Sequence, residues 1–433
     1  MRQPGPVPFV IAELTSGVST GDLKRAHDDT LVTGSTFKPT VKRSVKIVLC
    51  ALGLAAFAPC ESIAAEAVTF TADEVARIVT LGPWPPTYGR DPSNRASGMP
   101  EAIAFGRRLF FEPRFSPSGY VSCVACHQPD RGFTDALPRA RGLAPVERNA
   151  IALQNLRLQR WYGWGGSSDS LWMASLRPIL DPREIGSSAE RVAFVIRTGD
   201  GVACRYRAAF SAEADEEKAE TVLVNVGKAL AAYEETLVTG RTPFDDFRDR
   251  LARGEASTGT YPAAARRGLK IFVGRANCIA CHSGPVFTDR AFRGTAVPQF
   301  IGETAPDMGR YAGVTEFQAS RFNLKGAYND AGVSADEVKV DPRDRARWRT
   351  PSLRNVAATA PYLHNGTAAS LYDVVRRYAK SAGSSHYVDD EHKVRRVQLS
   401  AQDVDDLVAF LETLSDADGA RRLLAPLPHT PCD

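Results

Sequence analysis

Two pentapeptides carry recognisable chemistry: Cys123-Val124-Ala125-Cys126-His127 and Cys278-Ile279-Ala280-Cys281-His282. Two thiols separated by two residues can each add to a vinyl group of one porphyrin. The adjacent imidazole can then enter as the proximal iron ligand. This is the attachment signature of c-type haem, and two copies call for two covalently bound haem c groups. Zinc would need further ligands close by, but His364, His386, His392, His429, Cys204 and Cys432 are widely scattered. A thioredoxin-like redox pair fits poorly, because a His follows each Cys pair and no βαβ pattern surrounds it.

The sixth ligand of each iron decides the chemistry. A haem that only passes electrons is usually closed by a second strong ligand, whereas one that activates peroxide keeps its distal face open. Between His127 and Cys278 the chain has no further His, and its only Met there is Met173. The first haem is therefore expected to be five-coordinate and reactive. For the second, Asp307-Met308-Gly309-Arg310-Tyr311 offers a thioether at Met308 and a phenolate at Tyr311. The thioether would favour Fe(II) and the phenolate the higher oxidation states. Spacing alone leaves both open.

The elements that must position these groups are helical. Apolar residues recur with period 3.6 over Glu101–Phe111, Glu220–Leu237, Ala263–Phe272 and Ala401–Leu414, with Gly- and Pro-rich loops between. Ser400 and Asp403 make a capping box for the last of these. No sustained period-2 alternation is present, which argues against a large sheet. The two Cys clusters also form a repeat. Gly106 to Phe111, the first pentapeptide and Phe133-Thr134-Asp135 correspond to Gly268 to Phe272, the second pentapeptide and Phe287-Thr288-Asp289. The expected fold class is mainly α, with two cytochrome c-like haem domains over residues 65–245 and 246–433.

Residues 1–64 read as an N-terminal extension and signal peptide. Lys42, Arg43 and Lys46 precede an apolar run over Ile47–Ala58, and small residues follow at Ser62, Ala64 and Ala65. About a dozen apolar residues fall short of the roughly twenty that span a bilayer, so export to the periplasm is expected, with no stable membrane span afterwards. Translation starting near Val41 would account for the residues upstream of the basic cluster. The chain's 54 Lys and Arg against 50 Asp and Glu leave a formal charge of +4, too small a surplus for a nucleic-acid partner. Cys204 and Cys432 would pair only if the fold brings them together.

These residues resemble the bacterial dihaem cytochrome c peroxidase/MauG family over nearly all of the chain beyond the signal. Similar stretches run Leu109 to Ser116, Arg148-Asn149-Ala150, Asp169-Ser170-Leu171, Gly294 to Pro298, and Arg349 to Val356 continuing to Pro361 to Gly366. In the peroxidase branch an axial Met closes an Asp-x-Gly-Arg-Met pattern; here the matching residue is Tyr311, as in the MauG-like (MbnH-like) branch. The peroxidase branch also has a His in the loop after the first haem, and this chain has none there.

The resemblance implies that hydrogen peroxide drives oxidation of a Trp on a periplasmic partner protein, through a two-iron high-valent state. It carries three further features across. Trp164 matches the aromatic residue between the haems, although the usual Trp-Asp-Gly-Arg is Trp164-Gly165-Gly166-Ser167 here. Pro178 and Glu184 match residues over the peroxide-binding haem, where a carboxyl group shuttles protons, while Ala174 replaces a Gln of that pocket. Asn149, Thr295 and Val297 match a calcium site between the haems. The competing readings are a cytochrome c peroxidase fed by a small cytochrome or cupredoxin, and a non-catalytic dihaem electron carrier.

Overall fold

The helix before each Cys-x-x-Cys-His turn crosses a later helix at a glycine. In a computed structural model describing residues 68–255, 260–294, 297, 307–380, 397–417, 419 and 432, a Cβ on Gly106 would collide with the Ala229 carbonyl oxygen. A Cβ on Gly268 would collide in the same way with that of Asp406. One turn beyond each crossing the Cβ of an aromatic residue stands against the glycine, that of Tyr233 in the first case and of Phe410 in the second. Only glycine lets two helix backbones approach so closely.

Eleven α-helices form among the described residues. The first six are α1 (Ala72–Val79), α2 (Pro100–Phe110), α3 (Leu171–Leu180), α4 (Ala189–Thr198), α5 (Val202–Phe210) and α6 (Ala219–Glu234). The others are α7 (Pro243–Ala252), α8 (Ala263–Val273), α9 (Gly309–Ala319), α10 (Leu371–Lys380) and α11 (Ala401–Glu412). The four helices expected from periodicity are α2, α6, α8 and α11, and the Ser400–Asp403 capping box is formed. Helix α2 stops at Phe110, one residue short of the expected end, and α6 and α11 stop at Glu234 and Glu412. The carbonyl oxygens of Leu237 and Leu414 accept the backbone N–H of Asn155 and Asn355, which pulls each out of helical continuation. The only sheet among the described residues is one antiparallel pair, β1 (Phe292–Gly294) against β2 (Arg347–Arg349).

Residues 65–433 form one compact unit holding two apolar cores. Helices α2 to α6 surround Phe105, Phe110, Trp172 and Tyr233, and α7, α8 and α11 surround Phe244, Phe272, Phe287 and Phe410. The ring pairs correspond: Phe110 lies 5.5 Å from Tyr233, and Phe272 lies 5.0 Å from Phe410. Such pairs contribute about 0.5–1.5 kcal/mol beyond their area. Each core also borrows a distant segment. Ile78 and Leu81 pack into the second core, while Phe317, Phe322 and Leu324 pack into the first. Arg354 donates to both oxygens of Asp245 at 3.0 and 2.8 Å with both side chains buried, and its guanidinium lies 3.6 Å from the Trp84 ring centre. Cys204 on α5 is disulfide-bonded to Cys432 across 228 residues of sequence, tying the chain's end to the first core. The N-terminal extension and signal peptide expected over 1–64 lie outside the described residues.

Candidate functional site

Each Cys-x-x-Cys-His begins as one turn of 3-10 helix, Cys123–Ala125 and Cys278–Ala280. The N–H of His127 donates to the Cys123 carbonyl at 3.0 Å, and that of His282 to the Cys278 carbonyl at 2.9 Å. Each imidazole then uses Nδ1 against a backbone carbonyl: His127 on Phe133 at 3.0 Å, His282 on Phe287 at 3.1 Å. Both phenylalanines sit at positive φ, 59° and 54°, which turns the carbonyl back toward the ring. A neutral imidazole donating from Nδ1 leaves Nε2 with its lone pair, the form an iron takes. Burial holds both imidazoles below the ordinary histidine range. It also pushes the Cys126 thiol up to about 11 and the Cys278 thiol up to about 12. Thiols held neutral are poor nucleophiles for a thioredoxin-like reaction. Among the described residues no third Cys, His, Asp or Glu gathers with either Cys pair to hold a metal ion, so the donor set fits a covalently attached haem.

Cys123, Cys126 and His127 open onto a cavity of about 260 Å³. Trp164, Pro178, Glu184 and Asn149 line it too, so the fold gathers around the first pentapeptide residues that the sequence spreads over sixty positions. No Met lines this cavity, and its only His is His127; Met173 points into the core instead. Ala174 and Pro178 form part of one wall from α3. Proline inside that helix has no N–H to offer, so the donors on this wall are the side chains of Ser175 and Arg177. Glu184 is held by Arg177 Nη2 at 2.7 Å.

Trp164 sits in a loop closed by the Tyr162–Ser168 bridge. Its indole Nε1 donates to the Asn149 carbonyl at 2.9 Å, and its own carbonyl accepts from the Arg349 N–H at 3.0 Å. Two buried guanidinium groups grip the loop. Arg310 donates to the carbonyls of Gly165 and Gly166 at 3.2 and 2.7 Å, between the rings of Trp161 and Phe292. Arg349 donates to the Gly163 carbonyl at 3.4 Å and to Gln159 Oε1 at 3.0 Å. Burial lowers both guanidinium groups to about 10. The departure at Gly165 has a steric cause, because a Cβ there would strike the Gly309 carbonyl; Gly166 keeps the usual glycine, and a Cβ on it would strike Arg310 and Phe292.

Tyr311 lies on α9, whose Gly309, Gly313 and Glu316 line the first cavity. At about 100° per residue, Tyr311 is about 200° round the helix from Gly309, on the face turned away from that cavity. Its ring packs 4.9 Å from the Arg345 guanidinium, and Met308 occupies the N-cap position before it. Of the three residues matched to calcium, Asn149 lines the cavity and Val297 is buried, while Thr295 lies outside the described residues. The Asn149 amide Nδ2 donates to the Leu137 carbonyl at 2.8 Å.

Several residues around the cavity were not foreseen. Trp348 lines it and stacks on buried His364 at 3.9 Å, with the Arg148 guanidinium 4.7 Å from its ring centre. Arg148 pairs with Asp307 at 2.7 Å, and the Asn149 N–H donates to the His364 carbonyl at 3.0 Å. These bonds bring Arg148-Asn149, Asp307 and His364 together, although the sequence separates them by more than two hundred positions. Buried Glu234 also lines the cavity. Its sequence signal is an acid pair, Glu234-Glu235, closing a long apolar helix.

A model of the di-haem cytochrome c peroxidase family matches residues 100–253. The chain is 35% identical to methylamine utilization protein MauG of Methylorubrum extorquens, over 76% of this chain and 82% of that protein. It is 31% identical to cytochrome-c peroxidase IdrP1 of Denitromonas iodatirespirans, over 78% of this chain and 87% of that one. The fold superposes on a MauG-like protein associated with microbial copper homeostasis with a TM-score of 0.59 at 25% identity, covering 78% of this chain and 97% of that one. The diheme peroxidase BthA of Burkholderia thailandensis superposes with a TM-score of 0.60 at 23% identity, covering 80% and 92%. The chain belongs to the dihaem cytochrome c peroxidase/MauG family: it is a mainly α-helical, haem-dependent oxidoreductase with two haem groups. No helix among the described residues is long and apolar enough to cross a membrane.

Proposed function

We propose that the chain is a periplasmic, MauG-like enzyme that uses hydrogen peroxide to oxidise a Trp of a partner protein. The observation that carries this reading is the first cavity, which has a single His and no Met on its walls. Haem bound at Cys123, Cys126 and His127 supplies an iron able to activate peroxide, and haem bound at Cys278, Cys281, His282 and Tyr311 supplies a second store of oxidising equivalents.

The chain's own residues do the rest. Ala174 and Pro178 keep strong ligands away from the peroxide side. Glu184, steadied by Arg177, moves a proton there. Trp164, its N–H committed to the Asn149 carbonyl, carries an electron between the two centres. A large substrate then needs no deep cleft, only a path for electrons from its surface. Calcium at Asn149, Thr295 and Val297 belongs to the same proposal.

The test is the resting, as-isolated protein. It should contain one high-spin and one low-spin ferric haem and react with peroxide without prior reduction. A requirement for half-reduction before any reaction would instead make it a peroxidase fed by a small cytochrome.

A further inference from the structure

Each turnover of peroxide balances as H2O2 + 2 H⁺ + 2 e⁻ → 2 H2O. In the reading above the electrons come from a protein that stays outside the cavity, so the protons do not arrive with them. A second, polar cavity of about 300 Å³ lies beside the first, lined in part by Asp91, Arg157, Asp169 and Glu235. Tyr162 and Leu171 line both cavities and therefore form the wall between them. Glu234 and Glu235 are adjacent in sequence, yet they face opposite sides of this wall, Glu234 the first cavity and Glu235 the second. The Tyr162 phenol feels the charges of Asp91, Glu235, Glu234 and Arg349.

We propose that the polar cavity is an antechamber that delivers protons through Glu235, Tyr162 and Glu234 to the peroxide-reactive centre. This rests on the peroxide chemistry proposed above, but not on which molecule supplies the electrons. Glu235 Oε2 accepts from Ser97 Oγ at 2.5 Å and lies 4.0 Å from Arg157, while its Oε1 is buried with no hydrogen-bond partner. Glu234 accepts from Ser175 Oγ at 3.3 Å, on α3. The charged and titratable groups acting around the pair include Asp91, Arg157, Tyr162, Tyr233 and, at the haem attachment, Cys123. Burial pushes Glu234 up to about 8 and Glu235 up to about 7, so both can hold and release a proton near neutral pH.

The internal repeat supplies a control. The glycine crossings align Tyr233 with Phe410, and so Glu234 with Leu411 and Glu235 with Glu412. Tyr362 occupies the place of Tyr162, closing its loop by a matching bridge to Ala368, and it feels the charge of Glu412. The second core thus keeps the tyrosine and the outer acid but has a leucine at the inner position. Folding this lobe does not call for an acid there; the acid stands only beside the open centre.

Two measurements on the holoenzyme test the route. The infrared carbonyl stretch of protonated carboxylic acids at neutral pH should lose one component in Glu234→Gln and another in Glu235→Gln, whether or not the protein is active. After one equivalent of peroxide, with ascorbate as electron source, formation of the oxidised enzyme should survive in Glu234→Gln. Its return to rest should slow by on the order of 10²-fold, with Glu234→Asp restoring part of the rate. Should Glu234→Gln fail to load haem, Glu235→Gln and Tyr162→Phe carry the kinetic measurement. Wild-type return rates in the variants, or no carboxylic band lost in Glu234→Gln, would overturn the route. Absence of any peroxide reaction in the wild type would overturn the proposed function and leave the infrared result standing.

Discussion

The two haem lobes are built from one plan and differ where chemistry requires it. Both use a glycine helix crossing, a 3-10 turn carrying the thiols, a His whose Nδ1 meets a positive-φ Phe carbonyl, and an Asn that takes the carbonyl ending the last helix. Around the first pentapeptide, however, the walls offer no second His or Met and an acid stands at Glu234. The second lobe has Leu411 at that place, and α9 turns Tyr311 away from the first cavity. In the proposed reading, attachment is the shared function of the repeat, and a few side chains laid over it set the reactivity of each lobe.

The strongest way to break the comparison is to remove one attachment at a time. Cys123→Ser with Cys126→Ser should lower the mass by one haem and abolish the reaction with peroxide. Cys278→Ser with Cys281→Ser should also remove one haem, yet leave a high-spin ferric signal at His127. Mass spectrometry and electron paramagnetic resonance read both outcomes.

Next in size is exchange of the ligand proposed for the second lobe. Tyr311→Met should keep both covalent haems, raise the potential of the second and end oxidation of a protein substrate, because a phenolate stabilises ferric iron and a thioether does not. Potentiometry checks the shift. An unchanged low-spin spectrum and unchanged protein oxidation in Tyr311→Phe would transfer the ligand role to Met308.

A smaller effect concerns the second lobe's packing. Arg354→Ala leaves Asp245 buried without its bidentate partner and strips the cation from Trp84. Losing one member of such a pair costs about 3–5 kcal/mol, which denaturant titration should register as a lower midpoint.

A last effect, spread over about three pH units, sharpens the contrast between Glu234 and Leu411. Folding raises Glu234 from an ordinary 4.5 to about 8, so between those values the folded chain binds a proton that the unfolded chain does not. Stability should therefore fall as pH rises from about 5 to about 8. Glu235, raised to about 7, acts in the same direction. Glu234→Gln should flatten the slope, measured as the denaturation midpoint at several pH values.

Much of this was legible along the chain because it depends on local spacing. The Cys-x-x-Cys-His pentapeptides, the helices α2, α6, α8 and α11, the Ser400 capping box and the repeat itself all arise from residues within a turn or two of one another. What the tertiary structure alone decided involves residues far apart in sequence. It joined Cys204 to Cys432, packed Ile78 into the second core and Phe317 into the first, and seated Trp348 on His364 beside Arg148 and Asp307. It also turned neighbouring Glu234 and Glu235 toward different cavities. Helical periodicity tells which residues share a face, but not which partner covers that face; that depends on the path of the whole chain, and so does the burial that shifts an acid toward neutral pH.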